Sequence, residues 1–142
     1  MPIHNVAIVN VVPKETVIEQ NQTTSINVTV VNEGNYTETF NVTLYYDSAE
    51  VRCQTLTLEA HESRILTFKW NTTGVLCDDY TISAYASEVP EEADTQDNIY
   101  TVEYPVTVVP EFPSTIILLA FLIFTLVAAT LMRKEKTRTR FN

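Results

Sequence analysis

The sequence predicts an all-β sandwich followed by a single membrane-spanning helix. Three observations carry the prediction. Several stretches alternate apolar and polar residues with a period of two. Turn-forming clusters separate them at the spacing of short antiparallel strands. Residues 115–132, TIILLAFLIFTLVAATLM, contain no charge at all.

In chain order, the first strand is expected at 5–12. Residues 25–31 (SINVTVV) set Ile26, Val28 and Val30 against Asn27 and Thr29. Residues 39–46 (TFNVTLYY) set Phe40, Val42, Leu44 and Tyr46 against Asn41, Thr43 and Tyr45. A weaker strand is expected at 51–58. Residues 64–70 set Leu66, Phe68 and Trp70 against Ile65, Thr67 and Lys69, and residues 80–86 set Tyr80, Ile82, Ala84 and Ala86 against Thr81, Ser83 and Tyr85. The last strand is expected at 99–109, where Pro105 argues for an edge or a bulge because it has no N–H to donate. These stretches are rich in β-branched and aromatic residues, which suit a half-buried pleated surface. Turns fall at 32–35 (NEGN), 46–50, 71–74 (NTTG) and in an acidic loop at 88–98. Seven strands in about 100 residues suggest an immunoglobulin-like sandwich, in which Tyr80 stands where such folds tie a tyrosine hydroxyl to the preceding corner.

The apolar run would make a helix roughly 27 Å long, close to the hydrocarbon thickness of a bilayer. Its only polar side chains are Thr115, Thr125 and Thr130, whose hydroxyls can bond back to the helix. A soluble helix of this length would show a polar stripe, and none is present. Arg133, Lys134, Lys136, Arg138 and Arg140 follow at once, opposed only by Glu135. Residues 1–113 carry four basic side chains against seventeen acidic ones. Basic residues stay in the cytoplasm, so the domain at 1–109 is expected outside the cell, 110–114 as a proline-rich linker, 115–132 as the transmembrane helix and 133–142 as a cytoplasmic tail.

The acidic balance excludes nucleic-acid binding, which needs clustered Lys and Arg. Two glycines, Gly34 and Gly74, exclude a glycine-rich phosphate loop. The chain opens MPIHNVAIVNVV, without the basic, apolar and small-residue regions of a signal peptide. Either the C-terminal helix draws a long N-terminal domain across, or Met1 lies within a longer secreted protein; the sequence favours the second.

Five N-x-[ST] triplets begin at Asn21, Asn27, Asn35, Asn41 and Asn71, and mark candidate glycosylation sites. An outward strand face built of Asn and Thr also writes such triplets automatically. Asn27 and Asn41 fall on expected solvent faces, the others in expected turns. Cys53 follows the Asp47 turn and Cys77 precedes the sixth strand, a placement expected to bring them together at one pole. A disulfide there would stabilise by roughly 3 kcal/mol, in an extracellular setting where it can persist. Two free thiols, or pairing with another chain, are the alternatives. Glu88, Glu91, Glu92, Asp94 and Asp97 could offer oxygens to calcium, yet they lack EF-hand spacing and equally suit a structural turn. No catalytic constellation is found: His4 and His61 are isolated from partners and no serine lies in a G-x-S-x-G elbow. Tyr45 and Tyr85 are expected outward on neighbouring strands, as a contact patch or a cross-strand pair.

HNVAIVNVVP, INVTVVNEGNYTETFNVTLYYD, LTFKWNTTG and DYTISAYASEVPEEADTQDN together resemble a CARDB-type domain (cell-adhesion-related domain found in bacteria), in the form common in archaeal surface proteins. The resemblance covers roughly residues 3–109. It implies a seven-stranded sandwich used in stalks and adhesive ectodomains, and no catalytic residues. Where that family often has glycine two residues before Tyr80, this chain has Asp78. Pro110, Glu111, Phe112 and Pro113, ahead of the helix and basic tail, are similar to the PEF-type sorting signals of archaeal surface proteins. That resemblance implies an archaeosortase-type transpeptidase that cuts near the motif; a simple retained anchor is the other reading.

The function expected is therefore a non-catalytic, membrane-anchored surface module for adhesion, spacing or assembly. Its partners would be the lipid bilayer and other surface proteins or glycans, with no cofactor. The alternative is the C-terminal stalk and anchor of a larger secreted enzyme or solute-binding protein. A calcium-dependent adhesive domain is a third reading.

Overall fold

The computed structural model describes residues 1–138. Residues 139–142, including Arg140 of the basic tail, lie outside the described residues. The chain divides into two compact units, one ending at Pro110 and one beginning at Glu111.

The first unit is a β-sandwich-like domain. Its described strands are β1 (Val6–Pro13), β2 (Val17–Glu19), β3 (Thr23–Asn32), β4 (Glu38–Tyr46), β5 (Ala49–Leu58), β6 (Ser63–Asn71), β7 (Asp79–Tyr80), β8 (Ile82–Ala86), β9 (Ile99–Thr101) and β10 (Val106–Val109). One sheet runs β1-β3-β6, a second β5-β4-β8-β9, and a small third β2-β10-β7. The period of two in the sequence becomes the two faces of each sheet. In β3, Ile26, Val28 and Val30 are fully buried while Asn27 is exposed. Ile26 lies opposite Phe68 across the ladder. In the facing sheet Val42 pairs with Ala86 and Leu44 with Ala84, all four with no exposed surface. Small alanines on β8 opposite larger side chains on β4 let the layers interdigitate. Burying a Phe or Leu side chain is worth about 1.5–3 kcal/mol, so Phe68, Ile26, Leu44, Leu58 and Ile82 dominate the hydrophobic term.

Seven expected strands have become ten described ones, for local reasons. The expected strand at 80–86 is broken at Thr81, whose backbone N–H donates to Asp47 Oδ1 and whose carbonyl accepts from Asp47 N. That exchange with the β4–β5 turn takes Thr81 out of the ladder, and β7 pairs with β10 while β8 pairs with β4 and β9. The expected strand at 99–109 is broken around Pro105, which cannot donate to a ladder. Its second half, β10, pairs in parallel with β2, matching Val108 to Ile18. The sequence reading placed no strand at β2. In β1 a register shift between Ile8 and Asn10 breaks the alternation and leaves Val9 47% exposed.

Trp70, Tyr46 and Tyr80 form an aromatic cluster at one end of the core. Trp70 is tilted against Tyr46 with ring centroids 5.1 Å apart, and Tyr80 meets both rings edge-on. The Tyr80 hydroxyl donates to the Leu76 carbonyl at 2.9 Å, the corner tie expected of it. At the other end Asn32 is fully buried. Its Nδ2 donates to the carbonyls of Tyr36, Leu58 and Glu59, and its Oδ1 accepts from Gly34 N. Two N–H groups serve these three carbonyls, one at the end of β5 and two in loops, and each buried carbonyl left without its donor would cost about 1–3 kcal/mol.

The second unit contains α1 (Ser114–Arg138). It starts with Ile116 N donating to the Pro113 carbonyl. Thr125 and Thr130 bond back to carbonyls three and four residues earlier, as their place in an apolar helix requires. The helix runs past the apolar stretch through residues 133–138. The most apolar 18-residue window within Thr115–Arg138 has a mean hydropathy of 2.6 and is 0% buried, so length and composition suffice to cross a membrane.

Candidate functional site

The acidic loop closes onto the start of β1. Glu92 turns inward: Oε1 accepts from Val6 N, and Oε2 from Val89 N and Asn98 Nδ2, each at 3.0 Å. Asp94 Oδ1 accepts from Gln96 N, bracing the turn. Asn5 gathers the region. Its Nδ2 donates to Glu33 Oε2 at 3.1 Å and Asp97 Oδ2 at 3.2 Å, and its Oδ1 accepts from Asp94 N. Burial pushes the Asp97 carboxyl above its ordinary range, and the nearby Asp94 and Glu33 carboxylates push the same way, against the bond from Asn5. The loop also joins the sheet through Ile8 N, which donates to the Asp97 carbonyl.

These bonds brace the loop as a turn. Among the described residues no group of three or more His, Cys, Asp or Glu is placed to hold a metal ion. Of the calcium candidates, Glu92 is spent on three protein donors, while Glu88, Glu91 and Asp94 are exposed.

His4 corrects the sequence reading, which left it without partners. Its Nδ1 pairs with Glu38 Oε1 and its ring stacks on Tyr36 at 5.1 Å. The antiparallel pairing of β1 with β3 carries residue 4 alongside the 33–38 turn, a proximity that sequence separation hides. His61 sits in the turn between β5 and β6 with φ of 61°, as a turn residue.

The expected disulfide is not formed: Cys53 and Cys77 are both free and exposed. Cys53 lies within β5, opposite Thr43, and Thr43 is opposite Tyr85. It is thus two strands away from β8, and level with the far part of that strand. Cys77 precedes β7, beyond the Ile82 end of β8. Two strand spacings alone are about 10 Å, longer than the Cα separation a disulfide spans. The strand expected at 51–58 put Cys53 close to its start and so to the pole; β5 begins earlier, at Ala49, and carries Cys53 inward along the strand.

The N-x-[ST] asparagines fall into different surroundings. Asn27 is exposed on the outer face of β3, with Oδ1 accepting from Thr67 Oγ1 at 2.9 Å. Asn41 is exposed on the outer face of β4, with Oδ1 accepting from Thr55 Oγ1 at 2.6 Å. Asn71 ends β6, exposed, with Oδ1 accepting from Thr73 N. Asn35 differs: Oδ1 accepts from Ile3 N and Nδ2 donates to the Met1 carbonyl, so both polar atoms are engaged. Asn21 is exposed in a turn with φ of 62°. Tyr45 lies opposite Ser83 and Tyr85 opposite Thr43, so the two tyrosines are diagonal neighbours. Thr43, expected at the surface, is only 8% exposed in the middle of that face.

Pro110, the last residue of the first unit, and Glu111, Phe112 and Pro113, the first of the second, precede the helix in sequence and are all exposed, with Phe112 at 66%. They are in no strand or helix.

A family model described as CARDB matches residues 6–102. Among solved structures, the CARDB domain of a Pyrococcus furiosus protein, in complex with di-metal ions, is 26% identical with a TM-score of 0.63, covering 78% of this chain and 96% of that one. A domain of a protein provisionally described as a cell surface protein of Methanosarcina acetivorans is 24% identical with a TM-score of 0.59, covering 75% of this chain and 93% of that one. A β-glucosidase from Erythrobacter marinus shares the fold alone, at 17% identity and a TM-score of 0.57 over 75% of this chain and 16% of that enzyme. No curated protein matches the chain.

Proposed function

The chain belongs to the CARDB family, and from that premise we propose that it is a non-catalytic extracellular module, held at the membrane by α1 with its β-domain outside and its basic tail in the cytoplasm. The observation that carries the reading is an exposed helix of uniformly apolar character in the same chain as a CARDB domain. Nothing soluble would leave Leu118, Phe121, Ile123 and Phe124 more than half exposed without a lipid or protein cover. The basic residues after the apolar run and the acidic domain before it support the orientation. The likeness to the Methanosarcina acetivorans domain supports a place at the cell surface. The work of such a module is spacing, adhesion or assembly with other surface proteins or glycans.

Alkaline extraction of membranes from cells making the full chain tests this. The protein is expected to stay with the lipid, and deletion of 115–132 to release it. Release of the full chain at high pH would overturn the reading. Intact mass of the extracted protein separates a retained anchor from cleavage by an archaeosortase-type enzyme at Pro110, Glu111, Phe112 and Pro113.

A second reading is the terminal stalk and anchor of a larger secreted protein. The β-glucosidase favours it, since there the same fold is a small part of a much longer enzyme.

A further inference from the structure

We propose that Asn27, Asn41 and Asn71 carry N-linked glycans and that Asn35, despite an equivalent triplet, does not. The inference rests on the extracellular placement argued above and sorts the triplets by what each carboxamide already does. A glycan requires Nδ2 to face solvent and to be spared by the fold. At Asn27, Asn41 and Asn71 the oxygen is held by Thr67 Oγ1, Thr55 Oγ1 and Thr73 N. Each of these side chains is exposed, and no hydrogen bond of their nitrogens appears among the described residues, which leaves the nitrogens spared by the fold. At Asn35 one backbone stretch takes both atoms, with Ile3 N on the oxygen and the Met1 carbonyl on the nitrogen. A sugar on that nitrogen would displace residues 1–3 from the 33–38 turn.

The chemistry needs a lipid-phosphate-linked oligosaccharide and a transferase as co-reactants. The amide nitrogen attacks the anomeric carbon, a C–N bond forms, the C–O bond to phosphate breaks, the lipid phosphate leaves and the nitrogen gives up one proton. β3 and β4 are each flanked on both sides in their sheets, yet Asn27 and Asn41 are exposed on the outer faces, so the folded domain has room for the product there. Asn27 and Asn41 stand on the outer faces of two different sheets. Glycans there prevent either face from being docked flat and leave the sheet edges and the poles of the domain for partners.

The test is glycopeptide mass spectrometry on the full chain, isolated from membranes of a host with its own N-glycosylation, beside variants N27Q, N41Q, N71Q and N35Q. Each of the first three is expected to lower the intact mass by one glycan, and N35Q to leave the glycan mass unchanged. Bare Asn27, Asn41 and Asn71, or a glycan on Asn35, overturns the proposal. Labelling of Cys53 and Cys77 on the same intact cells with a membrane-impermeant maleimide shows whether the placement failed too: bare asparagines with labelled thiols leave the extracellular reading standing.

Discussion

Asp97 shows how a single carboxylate in the acidic loop is held against its own charge. Burial is the largest cause of its raised pKa, and the Asp94 and Glu33 carboxylates add to it. The unfolded chain returns it to the ordinary value near 3.8. A folded pKa above the unfolded one means that the folded state binds the proton more tightly. The stability from that proton is complete below the unfolded pKa and is lost as pH rises through the folded one. Asp97→Asn keeps an oxygen to accept from Asn5 Nδ2 and removes the charge. Thermal unfolding of the β-domain from about pH 4 to pH 7 is expected to show the variant gaining on wild type toward neutral pH, with the two converging at the acidic end. A difference that does not change with pH would show that charge at Asp97 is not what the fold resists. The sequence displays the loop's carboxylates plainly. It does not display Asn5, which lies 92 residues from Asp97 in the chain and binds Glu33, Asp94 and Asp97 together. One asparagine at the head of an apolar stretch carries no periodic signal.

Among the elements, the central strands were legible and the breaks were not. β3 and β6 alternate because each has one face on the core, β4 does so up to Val42 before Thr43 is buried as well, and the sequence expectations at 25–31, 39–46 and 64–70 all fall within these strands. Thr81 interrupts its strand by bonding to Asp47, and Val9 sits at a register shift within an unbroken β1; both follow from distant partners that no local pattern records. The disulfide reading failed in the same way, since it needed the register of β5 against β4 as well as the order of strands. The two glycines test what the turns require. Gly74 has φ of +77° with nothing within 4 Å of where a Cβ would stand. Gly74→Ala is therefore expected to cost about 1 kcal/mol, from backbone strain alone. At Gly34 a Cβ would lie 2.4 Å from the Ile3 carbonyl oxygen, 3.1 Å from Asn5 N and 3.2 Å from Asn32 Oδ1. Backbone cannot swing aside as a side chain can, so Gly34→Ala is expected to displace residues 3–5 and cost roughly 2–3 kcal/mol. Urea denaturation of both variants checks the ranking. An equal or larger loss at Gly74 would mean that residues 3–5 yield without penalty.

At the scale of the whole molecule, orientation is the property on which function depends, and it was read from charge alone. The described basic residues after the apolar run, Arg133, Lys134, Lys136 and Arg138, lie on the C-terminal part of α1, and the β-domain carries the great excess of acid. Moving those cations through hydrocarbon would cost about 2.5–3.5 kcal/mol each, which is why the proposed orientation keeps them on the side of synthesis. The two thiols turn this into a measurement. Cys53 and Cys77 are exposed and unpaired, they are the chain's only cysteines, and both belong to the β-domain. A charged maleimide that cannot cross the bilayer reaches them on intact cells only if that domain is outside. Two labels per chain are expected on intact cells, one in Cys53→Ser, and none in the variant lacking both. Labelling that appears only after the membrane is opened would place the domain in the cytoplasm and overturn the surface role. Thiols that stay unlabelled after opening, yet react once a reductant is added, would mean that the cell joins them to each other or to another chain. The register of β5 sets Cys53 opposite Thr43 and away from β7, which Cys77 precedes, so the same experiment reads the fold at Cys53 and the topology of the whole chain.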